Sequence, residues 1–298
     1  MRIAHLSDFH FDGSPELRAA LATIVDRAID CGPDAVVVTG DLTAWGRPEE
    51  LDAVAMELAR FGEVPRLVIP GNRDLEPSVG PPGEARALPV DSDLDYFLTL
   101  EPALSFGFAD AVAGVDVTAA GGGDSADPPT PEEAFAARFG PFDQALVDER
   151  LFVIGLNSTP RLRSSALERA AGRIRQAPAG ALKVVALHHG LLPVPGRKLR
   201  DGDLAHRAGD LLALLLDLDV DLALHGHIHR AHAWRVGDGS HAVLVASAGA
   251  LVNDGRRDAS FLEIVVDGGR LEVWRRSVAS GRPTLLHEGP LGTAGAAG

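Results

Sequence analysis

Cysteine is almost missing from this sequence of 298 residues, since Cys31 is the only one. One thiol cannot form an intramolecular disulfide, and it disfavours a metal site built on thiolates. We therefore expect a protein of a reducing compartment, and we predict a cytoplasmic location.

Long apolar runs are missing as well, because no window reaches eighteen apolar residues. The richest stretch, 211–224, is interrupted by three aspartates, and this pattern indicates a core helix followed by a strand. The first eight residues are too few and carry charge too early to form a signal peptide. No membrane span is expected.

Basic residues are scarce relative to acidic ones, with 28 Lys and Arg against 42 Asp and Glu, and the net charge is −14. Nucleic-acid binding needs clustered Lys and Arg to neutralise phosphates, so no stable nucleic-acid binding is expected. A small anionic substrate remains compatible with this charge, because a pair of metal ions can reverse the local field.

Strands and helices alternate in the first quarter of the chain, and 46% hydrophobic residues allow a sizeable core. The predicted elements are a strand at Ile3–Ser7, a helix at Pro15–Asp30, a strand at Ala35–Thr39, a helix at Pro48–Phe61 and a strand at Arg66–Ile69. Consecutive strands separated by helices pair in parallel, so the pattern predicts an α/β fold.

The same rhythm returns after a loop-rich segment, about 76–137, which we interpret as an insertion. Strands are predicted at 151–156, 182–187 and 221–224, with helices at Ser165–Gln176 and Asp203–Leu216 between them. Four strands then follow without helices, at 231–236, 242–246, 260–266 and 270–276. The Gly- and Ala-rich tail, 289–298, is predicted to be disordered.

Polar residues follow the predicted strands at the ends where ligands bind in parallel sheets. A cluster of three imidazoles, His225, His227 and His229, comes directly after an apolar run and includes a Gly turn. Histidines on a loop are commonly solvated, but the other strand ends also carry donors. The whole set is Asp8, His10, Asp41, Asn72, His188, His227 and His229.

These seven side chains offer oxygen and nitrogen donors without sulfur, a set that suits Mn, Fe or Zn. Seven donors are too many for one closed structural site, which usually takes four. They suit two ions that share a carboxylate, an arrangement that activates a water molecule and clamps a phosphoryl group.

The residues and their order resemble the calcineurin-like metallophosphoesterase family. The motifs appear as Asp8-Phe9-His10, Gly40-Asp41, Gly71-Asn72, His188 after an apolar strand, and Gly226-His227-Ile228-His229. The resemblance covers about residues 1–275, with the insertion left unmatched, and implies a four-layer α/β/β/α sandwich; we predict one domain over residues 1–288. The resemblance also implies that the enzyme acts through a metal-bridging hydroxide.

The resemblance further implies how two ions (Mn, Fe or Zn) would be held. One would be bound by Asp8, His10, Asp41 and His229, and the second by Asp41, Asn72, His188 and His227. Asp41, as the bridge, is a catalytic candidate together with Arg73 and His189, of which His189 would contact phosphate or support a ligand. His225 is expected to pack or cap locally, His5 and His206 to be structural, and Asp74 to orient the loop around Asn72.

The stretch after Asp41, Leu42-Thr43-Ala44-Trp45-Gly46-Arg47, resembles the bacterial cyclic-nucleotide phosphodiesterase branch, and so does Asn157-Ser158. The Asp-Arg-Gly ending of the protein phosphatases is missing there. One position departs from the family, because Arg73 stands where a His is common. A guanidinium cannot act as a general acid, but it can clamp a phosphoryl oxygen.

We therefore predict a metal-dependent phosphoric ester hydrolase, specifically a phosphodiesterase acting on a small or nucleotide-like substrate. The Gly-Asn-Arg-Asp motif also resembles pyrophosphatases that cleave a nucleotide diphosphate link, which is the first alternative. A non-catalytic scaffold on the same fold, a DNA nuclease and a protein phosphatase are the others. A small phosphorylated substrate is the expected partner, and the oligomeric state stays open.

Overall fold

The structure is a computed structural model that describes residues 1–76, 129–194, 198–237, 241–251 and 259–291. Most of the predicted insertion, 77–128, and the end of the predicted tail, 292–298, lie outside the described residues.

The first part of the chain alternates strands and helices as the apolar pattern predicts. Its elements are β1 (Arg2–Leu6), α1 (Pro15–Asp30), β2 (Ala35–Thr39), α2 (Pro48–Leu58) with one 3₁₀ turn (Ala59–Phe61), β3 (Arg66–Ile69) and the short α3 (Asn72–Leu75).

The second part continues the alternation and then ends in strands. Its elements are α4 (Pro131–Phe139), β4 (Ala145–Val147), β5 (Leu151–Leu156), α5 (Ser164–Ile174), β6 (Leu182–Leu187), α6 (Ala208–Asp217), β7 (Leu222–His225), β8 (His232–Gly237), β9 (Ala242–Ser247), β10 (Ser260–Asp267), β11 (Arg270–Ser277) and β12 (Pro283–Pro290).

These strands form two six-stranded sheets. The first has the order β12-β11-β10-β1-β2-β3, in which β1, β2 and β3 are parallel and β10 to β12 are antiparallel. The second has the order β4-β5-β6-β7-β9-β8, in which β5, β6, β7 and β9 are parallel. Both sheets therefore present the carboxyl ends of parallel strands, where ligands bind in α/β folds.

Three apolar clusters define the layers. Residues from both sheets, such as Val37 and Val184, pack together between them. On the outer face of the first sheet, Val36 packs with residues of α1 and α2, and on the outer face of the second, Val185 packs with residues of α5 and α6. Because successive residues of a strand point to opposite faces, the central strands are apolar on both sides. The predicted α/β/β/α sandwich is confirmed.

Local signals explain most element boundaries. Helix α1 begins after Ser14, whose hydroxyl accepts a hydrogen bond from the Leu17 N–H at 3.3 Å, and Pro15 occupies the first turn. Four residues at helical spacing, Leu21, Ile24, Val25 and Ala28, are buried against the first sheet.

Some boundaries differ from the prediction. Helix α6 begins at Ala208 rather than at Asp203, because Asp203 accepts a hydrogen bond from the Arg200 N–H (2.9 Å) and Ala205 donates to Gly190 (2.8 Å). The last part of the predicted insertion forms α4, which Thr130 and Glu133 cap reciprocally. The edge strand β12 was not predicted, and it runs two residues into the predicted tail.

Among the described residues, no helix combines the length and the apolar character needed to cross a lipid bilayer.

Candidate metal centre

The loops that follow β1 and β2 bring two carboxylates and one imidazole to the same edge of the first sheet. The loop after β1 is held against the loop after β2, because Asp8 N–H donates to Gly40 at 2.9 Å and His10 N–H donates to Asp41 at 2.9 Å. The side chains of Asp8, His10 and Asp41 are almost entirely buried. Buried acidic groups of this kind require compensating positive charge.

The second sheet supplies imidazoles to the same point from the ends of β6 and β7. His227 donates its backbone N–H to both oxygens of the Asp8 carboxylate at 3.0 Å, which joins the two sheets at the site. His229 Nε2 lies 2.8 Å from His10 Nε2 and 3.4 Å from Asp8 Oδ1. His188 Nε2 lies 3.4 Å from Asp41 Oδ1.

The ligand atoms fall into two groups, within each of which all atoms lie within 4.8 Å of one another. Asp41 belongs to both. The first group is Asp8, His10, Asp41 and His229, and the second is Asp41, His188 and His227. The Oδ1 atom of Asn72 lies 3.2 Å from His188 Nε2, so the amide predicted for the second group is next to it.

The backbone at these positions is unusual. Seven non-glycine residues of the described part have positive φ, and five of them belong to the two groups. Their φ angles lie between 44° and 66°, at Asp8, His10, Asp41, His227 and His229. Positive φ is costly for residues with a Cβ, and such strain persists where the surrounding structure enforces it, commonly at functional sites.

One hydrogen bond fixes the orientation of the His188 ring. Its Nδ1 lies 2.7 Å from the Thr39 carbonyl oxygen, which can only accept, so Nδ1 carries the proton. The opposite ring nitrogen, Nε2, points toward Asn72 Oδ1 and Asp41 Oδ1, where it can bind a metal ion once it has lost its own proton. This use of a backbone carbonyl to fix a tautomer is common for metal-ligating histidines.

The electrostatics of the cluster match a cation site. Burial alone would raise the pKa of Asp8, but the hydrogen bond and charge of His229 outweigh it and lower the pKa to about 2. Burial also opposes ionisation of Asp41, yet His188 holds its pKa well below the usual range. In turn, burial disfavours the charged form of His188, but Asp41 outweighs it and raises the pKa to about 9.

Two further imidazoles of the cluster, His10 and His227, are neutral donors. Burial, with the charge of His229, lowers the pKa of His10 to about 4, and burial with His188 lowers that of His227 well below the usual range. Two ionised, buried carboxylates beside imidazole nitrogens form a donor set that divalent ions fit. The residues present therefore fit the metal ions that the sequence implied.

The two other catalytic candidates lie beside the second group. The His189 ring centroid is 4.6 Å from that of His227 and 5.1 Å from that of His188, and burial lowers the pKa of His189 to about 3. Arg73 donates its backbone N–H to Asp41 Oδ1 at 2.8 Å. The charge of Arg73 also lowers the pKa of His10, although less than burial and the charge of His229 do.

The other sequence-predicted residues have local partners. Nδ1 of the buried His225 lies 3.0 Å from the Gly226 carbonyl oxygen, and Nε2 of His5 lies 2.9 Å from Thr39 Oγ1. His206 Nδ1 lies 3.2 Å from the Leu162 carbonyl oxygen. Asp74 accepts a hydrogen bond from the N–H of Gly71, directly before Asn72, and others from the two residues directly after Asp41.

Two contacts were not predicted from the sequence. A Cβ on Gly226 would overlap Ser7 Oγ and Asp8 Oδ2, so the site closes only around glycine. The side chain of Ser158 contacts His189, with Oγ 2.8 Å from Nδ1. The dipeptide Asn157-Ser158 after a strand was the one sequence signal for this contact, and it indicated a family branch rather than a role.

Two packed sheets with carboxylates and imidazoles gathered at their strand ends define the class of metal-dependent phosphoesterases. The sequence model of the calcineurin-like phosphoesterase family matches residues 1–231, and the chain belongs to this family. It is 40% identical over 83 residues to the glycerophosphodiester phosphodiesterase GpdQ of Enterobacter lignolyticus, a match that covers 25% of this chain and 30% of that protein.

Solved structures share the fold at low sequence identity. A purple acid phosphatase from yellow lupin (Lupinus luteus) seeds is 14% identical with a TM-score of 0.60. The match spans 96% of this chain and 52% of the phosphatase chain. A dimetal phosphatase from Danio rerio is 13% identical with a TM-score of 0.55. That match spans 96% of this chain and 99% of the Danio rerio chain. The family and the donor groups support phosphoester hydrolysis with divalent metal ions as cofactors.

Proposed function

We propose that this protein is a phosphodiesterase that hydrolyses a small or nucleotide-like phosphodiester with two divalent metal ions. The observation that carries the proposal is the position of Asp41, whose carboxylate belongs to both groups of ligand atoms. A carboxylate shared between two groups is the arrangement that a two-metal site requires.

The proposed ligands divide as the two groups do. The first ion would be held by Asp8, His10, Asp41 and His229, and the second by Asp41, Asn72, His188 and His227. Two divalent ions held there would supply Lewis acidity, which activates water and neutralises charge on the phosphoryl oxygens. Mn, Fe and Zn are the ions that we expect at these oxygen and nitrogen donors.

The chain's own groups orient the ligands and contact the substrate. The His227 N–H holds the Asp8 carboxylate, and the Thr39 carbonyl fixes the ring of His188, so neither ligand has to reorganise. The backbone N–H of Arg73 is bonded to Asp41, and the charge of its guanidinium contributes to the lowered pKa of His10. We assign Arg73 the role of clamping a phosphoryl oxygen with charge-assisted hydrogen bonds.

The preference for diesters is supported by similarity to GpdQ, a glycerophosphodiester phosphodiesterase. Arg73 favours substrates whose leaving group needs little protonation, because a guanidinium keeps its proton. Pyrophosphate links also have such leaving groups, so cleavage of a nucleotide diphosphate link is the second candidate. The cytoplasmic location stays a prediction from the single cysteine.

The proposal is tested with protein that has been stripped with a chelator and reloaded with Mn²⁺, Fe²⁺ or Zn²⁺. We expect bis(p-nitrophenyl) phosphate to be hydrolysed faster than p-nitrophenyl phosphate, and activity to return only with added metal. A matched control is His206→Asn, because His206 lies outside both ligand groups and an amide can donate to the Leu162 carbonyl.

Other outcomes contradict the proposal in distinct ways. Faster cleavage of the monoester would identify a phosphomonoesterase. Faster cleavage of a nucleotide diphosphate derivative than of any diester would favour the pyrophosphatase. Turnover of none of these compounds with any metal would favour a non-catalytic scaffold on the same fold.

A further inference from the structure

Ser158 and His189 are joined across neighbouring parallel strands of the second sheet. Ser158 follows β5 and His189 follows β6, so the two residues leave the sheet at the same edge. The His189 backbone N–H donates to Ser158 Oγ at 3.2 Å, and Oγ lies 2.8 Å from Nδ1 of the same residue. The serine therefore contacts His189 at two points.

The position of Ser158 is fixed by its surroundings. Its side chain is buried, with 1% exposure, and the Asn157 side chain accepts a hydrogen bond from the Thr159 N–H at 2.9 Å, which closes a turn around it. This burial excludes Ser158 as a nucleophile, because a substrate cannot reach its oxygen. Its function has to act through the histidine.

Counting protons determines the direction of the bond between the two side chains. One lone pair of Ser158 Oγ already accepts the His189 N–H. If Nδ1 also donated to Oγ, the buried hydroxyl proton would be left without an acceptor, since Nδ1 is its one acceptor among the described residues. Ser158 therefore donates, Nδ1 accepts, and the proton of the neutral ring is on Nε2.

This tautomer leaves one N–H group facing away from the protein interior. The Nδ1 edge of the ring is turned toward the buried serine, and Nε2 is not among the buried unpartnered atoms of the described residues, so it is accessible on this half-buried residue. Within the described part of the chain, Nε2 has no hydrogen-bond partner. The ring is packed against His188 and His227, so this N–H lies beside the second group of ligand atoms.

The geometry points to Ser158 as a positioning residue that fixes His189 in the Nε2–H form, with this N–H donating a hydrogen bond to an oxygen of the bound phosphoryl group. The inference rests on the proposed function. It adds a second donor beside Arg73, and both donors keep their protons during the reaction. Stabilisation by such fixed donors requires no proton transfer to the leaving group.

The tautomer is tested directly by long-range ¹H–¹⁵N spectroscopy on the full chain with ¹⁵N-labelled histidine, loaded with diamagnetic Zn²⁺. We expect His189, assigned by comparison with His189→Gln, to show an unprotonated Nδ1 that accepts a hydrogen bond and a protonated Nε2. Ser158→Ala removes the donor and should move the Nδ1 resonance toward that of a free nitrogen. Ser158→Thr keeps the hydroxyl and should restore the wild-type position.

Two further measurements connect the tautomer to the substrate. Titration with inorganic phosphate is expected to shift the His189 Nε2–H resonance in the wild-type protein. Ser158→Ala is expected to lower kcat for bis(p-nitrophenyl) phosphate about tenfold with little change in KM, as is common for residues that orient a group at a metal site. Ser158→Thr should recover most of this loss.

The outcomes separate this inference from the proposed function. A protonated Nδ1 on His189 in an active enzyme would overturn the inference and leave the phosphodiesterase intact. An active enzyme in which phosphate leaves Nε2–H unchanged would overturn the substrate contact. If His189 shows the predicted tautomer but the protein hydrolyses no phosphoester, the role of Ser158 in fixing the ring is supported and the proposed function is wrong.

Discussion

The carboxylate of Asp74 accepts two hydrogen bonds from Thr43, one from its backbone N–H at 3.0 Å and one from its hydroxyl at 2.8 Å. The same carboxylate also accepts the N–H groups of Leu42 at 3.2 Å and Gly71 at 2.9 Å. One buried side chain therefore ties the loop that carries Asp41 to the loop that carries Asn72.

We expect Asp74→Asn to destabilise the protein by about 2–4 kcal/mol, because the new NH₂ group would face N–H donors in a buried site. The measurement is urea unfolding of the metal-free protein. Thr43→Ser is the matched control, since it keeps the hydroxyl. Equal stability of Asp74→Asn and the wild type would show that this carboxylate does not organise the loops.

Asp41→Asn is expected to leave the fold intact, because an amide oxygen can still accept the Arg73 N–H. It removes charge from the position shared by both groups of ligand atoms. Elemental analysis should therefore find fewer than two metal ions per chain. Activity should fall more than about a hundredfold, since even residues that only support metal ligands cost 10–100-fold. Two tightly bound ions in the variant would contradict the shared position.

Arg73→His introduces a group that can donate its proton, while the backbone bond to Asp41 does not depend on the side chain. We expect the kcat/KM for alkyl diesters to rise relative to that for aryl diesters by about tenfold or more, because alkyl leaving groups need protonation. Steady-state kinetics on both substrates measures the ratio. Arg73→Lys, which keeps the charge, should leave the ratio unchanged, and an equal response of both substrates to Arg73→His would refute the role.

Gly226→Ala places a Cβ where Ser7 Oγ and Asp8 Oδ2 lie. Overpacking of this kind costs about 1–3 kcal/mol, and here it would also displace a proposed metal ligand. Thermal unfolding and metal content report the two effects. In the control variant Gly172→Ala the new methyl group meets open space on helix α5, so stability should rise by about 0.5–1 kcal/mol. A fully metal-loaded, stable Gly226→Ala would contradict the close packing.

Glu50 introduces a pH dependence that is independent of the metal centre. Its carboxylate accepts the Trp45 N–H at 3.0 Å, but burial outweighs this bond and raises its pKa from 4.5 to about 7. The folded state therefore favours the protonated form. Proton binding by Glu50 therefore stabilises the folded state fully below pH 4.5, and this contribution is lost as the pH rises through 7.

The variant Glu50→Gln lacks this titration. Between pH 5 and 8, the free energy of unfolding of the wild type should fall relative to that of the variant by about 1–2 kcal/mol, after allowance for partial hydration of the carboxylate. Urea unfolding at several pH values measures the difference. A constant difference across this range would mean that Glu50 is ionised in the folded protein throughout.

The alternation of apolar strands and amphipathic helices made the sheets predictable, because strands such as β2 and β5 are apolar on both faces and bounded by clear turn residues. Edge strands were less predictable. β12 is mostly exposed and carries no apolar alternation, so its pairing with β11 depends on tertiary contacts.

The strand-end positions of the seven candidate ligands could be read from the sequence, because the carboxyl ends of parallel strands meet at one edge. The contacts that orient them could not. Thr39 acts on His188 through its backbone carbonyl, which every residue has, so no side-chain pattern indicates it. The bond between Ser158 and His189 likewise joins residues 31 positions apart.

The donors of the candidate site are divided between the two sheets, with four from the loops of the first and three from the loops of the second. An ion bound there would connect the two sheets, and its binding free energy would add to the folding stability of the whole domain. Metal occupancy would then determine thermal stability as well as activity. In the metal-free protein, the contact between the two sheets would be the first to weaken.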